Sequence, residues 1–473
     1  MRKTPLLSAL FALTLAACGG DPDSSHNAGT GGNSSQNPGT GGSGGQTQAP
    51  SIARSNLDRE PASSVSPDTV AAVVDADNAF AFDLYGKVRA TAAVDNAVMS
   101  PLSVSLALGM TWAGARNQTA EEMAKTLHFD APGLDVHAGH NALSQVLESR
   151  AADALAAAQQ NAQNAGTPAP SPDDFRLHIV NSVWGDGSYT WEQPFLDTLA
   201  RSYGTGVYLA DFVHQYDAER LRINAWVSAE TNDKINDLLP DGSLNEDTRM
   251  VLVNAIHLKM PWESPFEKSF TKAGDFTRGD GTTVSADFMS QEAELGYYED
   301  DTAQVVSLPL VGRKLSLVVA LPKGGLADYE AGLTAASWKT AWEGRQVVPV
   351  ALKLPKFSFT SASIKLRDVF EELGTHQAFD PDAADFYGMC SQPPNDERLF
   401  IAQIMHKAMM AVDENGVEAA AATAVIMAGN TSVPPPPVEM TVNRPFVVAL
   451  VDEPTGAVLF LGHIQDPTNK GSQ

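Results

Sequence analysis

The sequence predicts an α+β fold in one large domain. Helix-like patterns dominate its first half: "NAFAFDLYGKV" (78–88) repeats apolar residues at helical spacing, and "PLSVSLALGMTWAGA" (101–115) opens with a proline suited to a first helical turn. Strand-like runs dominate its second half, including "KLSLVVALP" (314–322) and "RPFVVALVDE" (444–453). Helices followed by many strands are typical of helices packed on large antiparallel sheets.

The first 18 residues predict an export signal. A basic start, Met1-Arg2-Lys3, precedes an apolar run from Leu6 to Ala17 that is too short to cross a bilayer. "LAAC" (15–18) then matches the lipobox of bacterial lipoprotein signal peptides, in which Cys18 becomes the lipidated first residue. An ordinary cleaved signal peptide is the alternative. Lipidation would anchor the chain to a bacterial membrane, and Gly19 after the cysteine favours the outer one.

Residues 19–66 predict a flexible tether. They are rich in Gly, Ser, Asn, Gln and Pro and hold few apolar side chains to offset the entropy of ordering. G-x-G patterns occur in this segment, but they neither follow a strand nor open a helix, so a nucleotide-binding site is rejected. The folded domain is therefore expected over residues 67–468.

Within the domain, more elements follow in order. Thr119 and Glu122 form a capping-box pattern that predicts the start of a helix. Residues 151–172 predict an Ala/Gln-rich helix that ends in a polar surface loop. Strands are predicted at "FRLHIVNSVW", "MVLVNAIHLKM", "VVPVALKLPKFSF" and "AVLFLGHI".

Composition and motifs narrow the function. With 57 acidic and 32 basic residues the net charge is −25, which disfavours nucleic-acid binding and anionic lipid surfaces. Two cysteines cannot build a disulfide framework. The G-x-S-x-G, H-E-x-x-H and P-loop patterns do not occur within residues 67–468. His137 and His140 are interpreted as a surface pair rather than a metal site, so we expect no metal, no cofactor and no catalytic activity.

Several ordered motifs resemble the serpins, the large family of serine-protease inhibitors. The resemblance covers residues 67–468 and rests on "MSPLSVSLALGM", "TAEEM", "LVNAIHLKMPWESPF", "MHKAMMAVDENG", "VDENGVEAAAATAVIMAG", "NRPFVVAL" and "GAVLFLGHI". It implies a body of three β-sheets and eight to nine helices. It also implies an exposed reactive-centre loop, here at about residues 414–437, which can insert into the main sheet as an extra strand.

The hinge of this loop is implied at Glu414, Gly416, Val417, Ala419, Ala420, Ala421, Ala422 and Thr423. As an inserting strand, it would turn one uncharged set of side chains to the core, with Glu418 on the opposite face. Gly416 would let the backbone turn at the entry point. A surface helix is the alternative, but residues 419–429 carry no charge with which to form a polar face.

The resemblance implies suicide inhibition of serine, or else cysteine, endopeptidases. The protease cuts the loop and is held as an acyl-enzyme while the freed strand inserts. Counting the family's usual loop length from Glu414 places the cut bond at Asn430–Thr431, within one or two residues. A serpin-fold binding or carrier lipoprotein without inhibitory activity is the alternative function.

Other positions are carried over by motif. Ser100, Ser103, Asn224 and His406 match the buried polar cluster, or shutter, below the main sheet. Trp262 matches the top of the sheet, where insertion starts, and Glu414 is expected to pair with Arg367 there. The expected partners are a target endopeptidase and, through Cys18, a membrane. We expect a monomer, exported to the cell surface or beyond, with no nucleic-acid partner.

Overall fold

Nine α-helices and eighteen strands occur in the part of the chain that the computed structural model describes, residues 50–91, 96–418 and 436–471. The helices are α1 (Pro67–Thr91), α2 (Pro101–Trp112), α3 (Asn117–Thr126), α4 (Val136–Ala165), α5 (Gln193–Thr198), α6 (Phe212–Glu230), α7 (Leu326–Ala331), α8 (Ala335–Glu343) and α9 (Arg367–Leu373).

The strands are β1 (Ile52–Ala53), β2 (Ala97–Met99), β3 (Arg176–Asp186), β4 (Val207–Ala210), β5 (Met250–Pro261), β6 (Lys272–Thr277), β7 (Thr283–Glu299), β8 (Ala303–Pro309), β9 (Leu315–Pro322), β10 (Gln346–Pro355), β11 (Phe357–Thr360), β12 (Ile364–Lys365), β13 (Gln403–His406), β14 (Met409–Val412), β15 (Gly416–Val417), β16 (Val438–Thr441), β17 (Phe446–Asp452) and β18 (Val458–Ile464). The α+β fold class is confirmed.

The first sheet, called the main sheet below, has the strand order β1-β4-β3-β5-β15-β14-β11, with β12 and β13 attached beside β5. Its central strand β5 is buried along nearly its whole length, as its continuous apolar sequence predicts. Helix α6 covers one face and packs Phe212, Ile223 and Val227 against Val251 and Val253 of β5. The main sheet therefore lies between α6 and the rest of the core.

The second sheet has the order β16-β10-β7-β8-β9-β17-β18-β2, with β6 paired to β7. The 17-residue strand β7 joins the two parts of this sheet. It pairs with β6 and β10 and, at its C-terminal end, with β8. The second and third sheets of the expected architecture are thus continuous through β7. Strands β17 and β18 are buried at every position, although only β2 lies between β18 and the edge of the sheet.

The helices predicted from the sequence are present, but one predicted helix start is wrong. Helix α2 is buried from Pro101 to Thr111, as its apolar pattern predicts. Helix α4 continues to Ala165, where Gly166 adopts a left-handed φ of 66° and ends it. The predicted capping box is wrong, because α3 begins at Asn117. The Thr119 hydroxyl instead accepts a hydrogen bond from the Asp385 N–H.

Residues 50–66, the last part of the predicted tether, are packed on the domain. Strand β1 pairs with the edge strand β4, at Ile52 with Tyr208 and Ala53 with Val207. Arg59 contacts α4, where it donates hydrogen bonds to Ser144 and Glu148. Two kinds of contact therefore order this segment, although its composition predicts no order. One is backbone pairing at the edge of the sheet, and the other is the set of hydrogen bonds that Arg59 donates. The domain boundary at residue 67 is therefore placed too late.

We expect deletion of residues 1–60 to lower the free energy of unfolding by about 2 kcal/mol relative to a chain that begins at residue 48. The deletion removes β1 and the Arg59 contacts and leaves the edge of β4 unpaired. Urea unfolding of the two purified chains measures the difference. Equal unfolding midpoints would show that the segment lies on the domain without stabilising it.

Candidate functional site

On one side of β5, the neighbouring strands of the main sheet separate from it. Strand β13 pairs directly with β5, in parallel, from Gln403–Val251 to His406–Asn254. Further along, β5 pairs on this side with the two-residue strand β15, at Val417–Met260 and Gly416–Pro261. Strand β15 pairs in turn with β14. In the described part of the chain, no strand pairs with residues 255–259 of β5 on this side. A gap therefore opens above His406 and is closed again at its far end by two residues of the predicted loop.

A buried polar cluster lies where the gap begins. His406 is fully buried, and its Nε2 accepts a hydrogen bond from the Ser100 N–H at 3.0 Å. Its Nδ1 therefore carries the proton and donates to Asn254 Oδ1 at 2.6 Å. Ser103 Oγ lies 2.9 Å from the same oxygen. Three of the four residues expected in the shutter, Ser100, Ser103 and His406, are thus brought together.

Asn224, the fourth expected member, lies elsewhere. It is on α6, where its amide bonds to the backbone N–H and C=O of Leu239. Asn254 takes its place in the cluster, and its amide also hydrogen-bonds that of Asn181 on β3 at 2.6 Å. Both positions have a sequence signal that we missed, since each is a lone asparagine inside an apolar strand run. Such a residue needs buried hydrogen-bond partners.

Burial lowers the pKa of the His406 imidazole to about 3, from an ordinary value of 6.5. The native state therefore excludes a proton that the unfolded chain accepts below about pH 6.5. The stability that depends on neutral His406 is complete above that pH and is lost as the pH falls toward 3. His137, whose pKa burial lowers to about 4, acts in the same direction.

We expect the free energy of unfolding to fall by about 2–3 kcal/mol from pH 7 to 4.5 through His406 alone. Urea unfolding across this range should show a shallower pH slope in His406→Gln, which cannot take up the proton. His137→Gln is the matched variant for the second imidazole. An unchanged slope in His406→Gln would contradict the assignment of a neutral His406.

At the far end of the gap, a hairpin turn connects β14 to β15. Asp413 accepts hydrogen bonds at its carboxylate from the Asn415 and Gly416 N–H groups. The buried Trp262 holds this turn, since its indole N–H donates to Asp413 O at 2.8 Å and its backbone N–H to Asn415 O at 2.9 Å. Trp262 therefore lies at the base of the predicted loop, where the sequence motif places it.

Glu414 does not pair with Arg367. Its carboxylate contacts Lys356 at 3.0 Å and accepts a hydrogen bond from Thr271 at 2.8 Å. Arg367 instead pairs with Glu371, and both residues are on α9. This helix follows β12, which pairs with His406 at the other end of the gap. Burial opposes ionisation of Glu414, but hydrogen bonds from its own N–H, Lys356 and Thr271 hold its pKa below the usual value.

The chain leaves the sheet at Glu418 rather than at Gly416. Gly416 is paired in β15, whereas Glu418 has a left-handed φ of 52°. Val417 is only 2% exposed and belongs to the apolar core, while Glu418 points to the other face, as the alternation predicts. The other residues singled out in the loop, with the lipidation site, lie outside the described residues: Ala419, Ala420, Ala421, Ala422, Thr423, Asn430, Thr431 and Cys18.

His137 and His140 are not a surface pair. His140 is fully buried, 3.1 Å from the Asp77 carboxylate, and His137 Nδ1 lies 2.9 Å from the Tyr203 hydroxyl. Among the described residues no group of three or more His, Cys, Asp or Glu side chains is arranged to hold a metal ion. Within the same residues, no helix is both long and apolar enough to span a bilayer.

The chain matches known proteins over almost all of the described domain. A family model described as "Serpin (serine protease inhibitor)" matches residues 75–467. Human Serpin B4 is 34% identical over 408 residues, covering 83% of this chain and 99% of the relative. Leukocyte elastase inhibitor A of Rattus norvegicus is 32% identical over 402 residues, covering 83% and 98%.

A solved structure shows the same architecture. The native state of tengpin, a thermophilic serpin, matches with a TM-score of 0.72 and 26% sequence identity, covering 87% of this chain and 97% of that one. The residues matched by the family model include the parted strands, the hairpin held by Trp262 and the cluster around His406. On these similarities, the chain belongs to the serpin family.

Proposed function

We propose that this chain is a suicide inhibitor of serine endopeptidases, with cysteine endopeptidases as a second target class. The observation that carries the proposal is the gap in the main sheet. Strands β5 and β14 flank it, and Gly416 and Val417 already pair between them in antiparallel register. Continuation of β15 would complete the sheet with residues of the same chain. The name of the rat relative, an elastase inhibitor, supports the target class.

The proposed chemistry couples cleavage of the loop to insertion of the strand. A protease that cuts the loop first forms an acyl-enzyme between its nucleophile and the new carboxyl end of the loop. Insertion of the freed strand then carries the attached protease along the sheet. Loss of one oxyanion-hole donor slows deacylation only by roughly 10²–10³. Lasting inhibition therefore requires distortion of the whole catalytic site, because losing the triad costs more.

We place the cut at Asn430–Thr431, within one or two residues.

We further propose that the chain is exported and lipid-anchored at Cys18, with residues 19–49 as the tether between the membrane and the domain. Cys18→Ala should then release the protein from the membrane fraction without changing inhibition by the purified domain. Retention of the variant in the membrane fraction would contradict the anchor.

Incubation of the purified domain with a panel of serine and cysteine endopeptidases tests the proposed function. The expected result is an SDS-stable complex with at least one active enzyme, whose mass equals the protease plus the domain without its C-terminal fragment. The same enzyme with its nucleophile replaced by alanine is the matched control and should form none. A loop that every protease only nicks would support the binding or carrier alternative instead.

A further inference from the structure

Glu418 is the last described residue in the first part of the reactive loop, and it marks the point where the chain departs from the gap. Its N–H still donates to Ala411 O of β14 at 2.9 Å. Its φ of 52° nevertheless lies in the left-handed region, which is unfavourable for a residue with a side chain. The backbone is thus held to one flanking strand while it turns away from the other.

The Glu418 carboxylate lies between two basic side chains. Oε1 lies 2.6 Å from Lys234 Nζ, in the turn after α6, and Oε2 lies 3.2 Å from Nε2 of the buried His257 on β5. Burial opposes ionisation of Glu418, but His257 and Lys234 hold its pKa below the usual value. An ionised carboxylate therefore links the base of the loop to β5 and to the segment that covers the sheet.

The strand register shows what insertion would change at Glu418. Val417 pairs with Met260, so a continued strand would place Glu418 opposite Lys259, whose ammonium now contacts Asp174 at 2.9 Å. Directly opposed residues have Cβ atoms about 5 Å apart, whereas His257 would be a diagonal neighbour at roughly 7 Å. Insertion in this register would require Glu418 to leave its left-handed conformation and would make Lys259 the nearest basic residue on β5.

We infer that Glu418, His257 and Lys234 form a clamp that holds the base of the reactive loop and must open before the strand inserts. Glu418 is on this account a positioning residue that sets the rate of insertion, and the inference rests on the proposed function.

The rate of spontaneous insertion of the purified uncleaved chain tests the clamp. The chain is warmed at neutral pH, and the urea-resistant fraction is followed with time. Glu418→Gln should convert about three- to tenfold faster than wild type. His257→Gln and Lys234→Gln each remove one neighbour of the carboxylate and should raise the rate by a smaller factor. Lys339→Gln breaks the exposed ion pair between α8 and Asp75 of α1, away from the main sheet, and is the control expected to match wild type.

Equal rates in Glu418→Gln and wild type would overturn the clamp. Cleavage of the loop by a broad-specificity protease separates this failure from failure of the proposed function. If the cleaved chain becomes urea-resistant while the variants do not change the rate, only the clamp is wrong. If no chain becomes urea-resistant even after cleavage, both the clamp and the insertion mechanism are wrong.

Discussion

Replacing Val417 with arginine should convert the inhibitor into a substrate. Val417 is 2% exposed and packs in the core between β5 and β14. A guanidinium there would be buried without a counter-charge, which costs roughly 3–5 kcal/mol. The substituted side chain should therefore leave the sheet in the intact chain, where Val417 is already paired. Insertion after the cut must then bury the charge again, so that deacylation is faster than strand entry. We expect the yield of SDS-stable complex to fall at least about tenfold while the loop is still cut.

Val347→Arg is the matched control, because Val347 is 73% exposed on β10. The same charge at that surface should leave the complex yield unchanged. Densitometry of the complex band against the cleaved band, at a fixed ratio of inhibitor to protease, gives both yields. A complex yield in Val417→Arg equal to wild type would contradict entry of this side chain into the sheet.

Replacing Asn254 with alanine should destabilise the native state and release the sheet. The variant leaves the His406 Nδ1–H without its acceptor and removes one from the Ser103 hydroxyl, both in a fully buried site. Unsatisfied buried donors cost about 1–3 kcal/mol each. Because this cluster lies where the strands part, we expect faster spontaneous conversion to the inserted form as well as a lower unfolding midpoint.

Asn224→Ala separates the two effects. This variant also removes two hydrogen bonds of a buried asparagine, but they link α6 to Leu239 and not the parted strands. We expect a comparable loss of stability and a conversion rate close to that of wild type. Native gels after incubation at a temperature below the unfolding transition measure conversion. Equal conversion in both variants would remove any special role for the cluster.

The sequence predicts most of what depends on local pattern. Helix α2, the buried strands and the position of Trp262 at the hinge follow from periodicity and motif. The hydrogen-bond partners of buried polar side chains cannot be predicted in this way, because they depend on which elements meet in the folded structure. Asn224 and Asn254 are equally polar in sequence, but only Asn254 lies on the strand that faces His406.

Charge pairing and backbone geometry show the same limit. Glu414 meets Lys356 because β10 ends near the hairpin, while the expected Arg367 lies beyond the other end of the gap. Gly416 has the freedom to turn, but its pairing with β5 moves the turn to Glu418, which its ion pairs can hold. These outcomes are set by tertiary contacts and not by residue type.

The central claim is that the main sheet accepts the loop as its missing strand. The most direct test is the thermal unfolding transition of the purified domain before and after a single cut in the loop. Because the new strand would pair with both β5 and β14, the cut domain should unfold at a much higher temperature than the intact one. A transition that stays the same or falls after the cut would contradict the account.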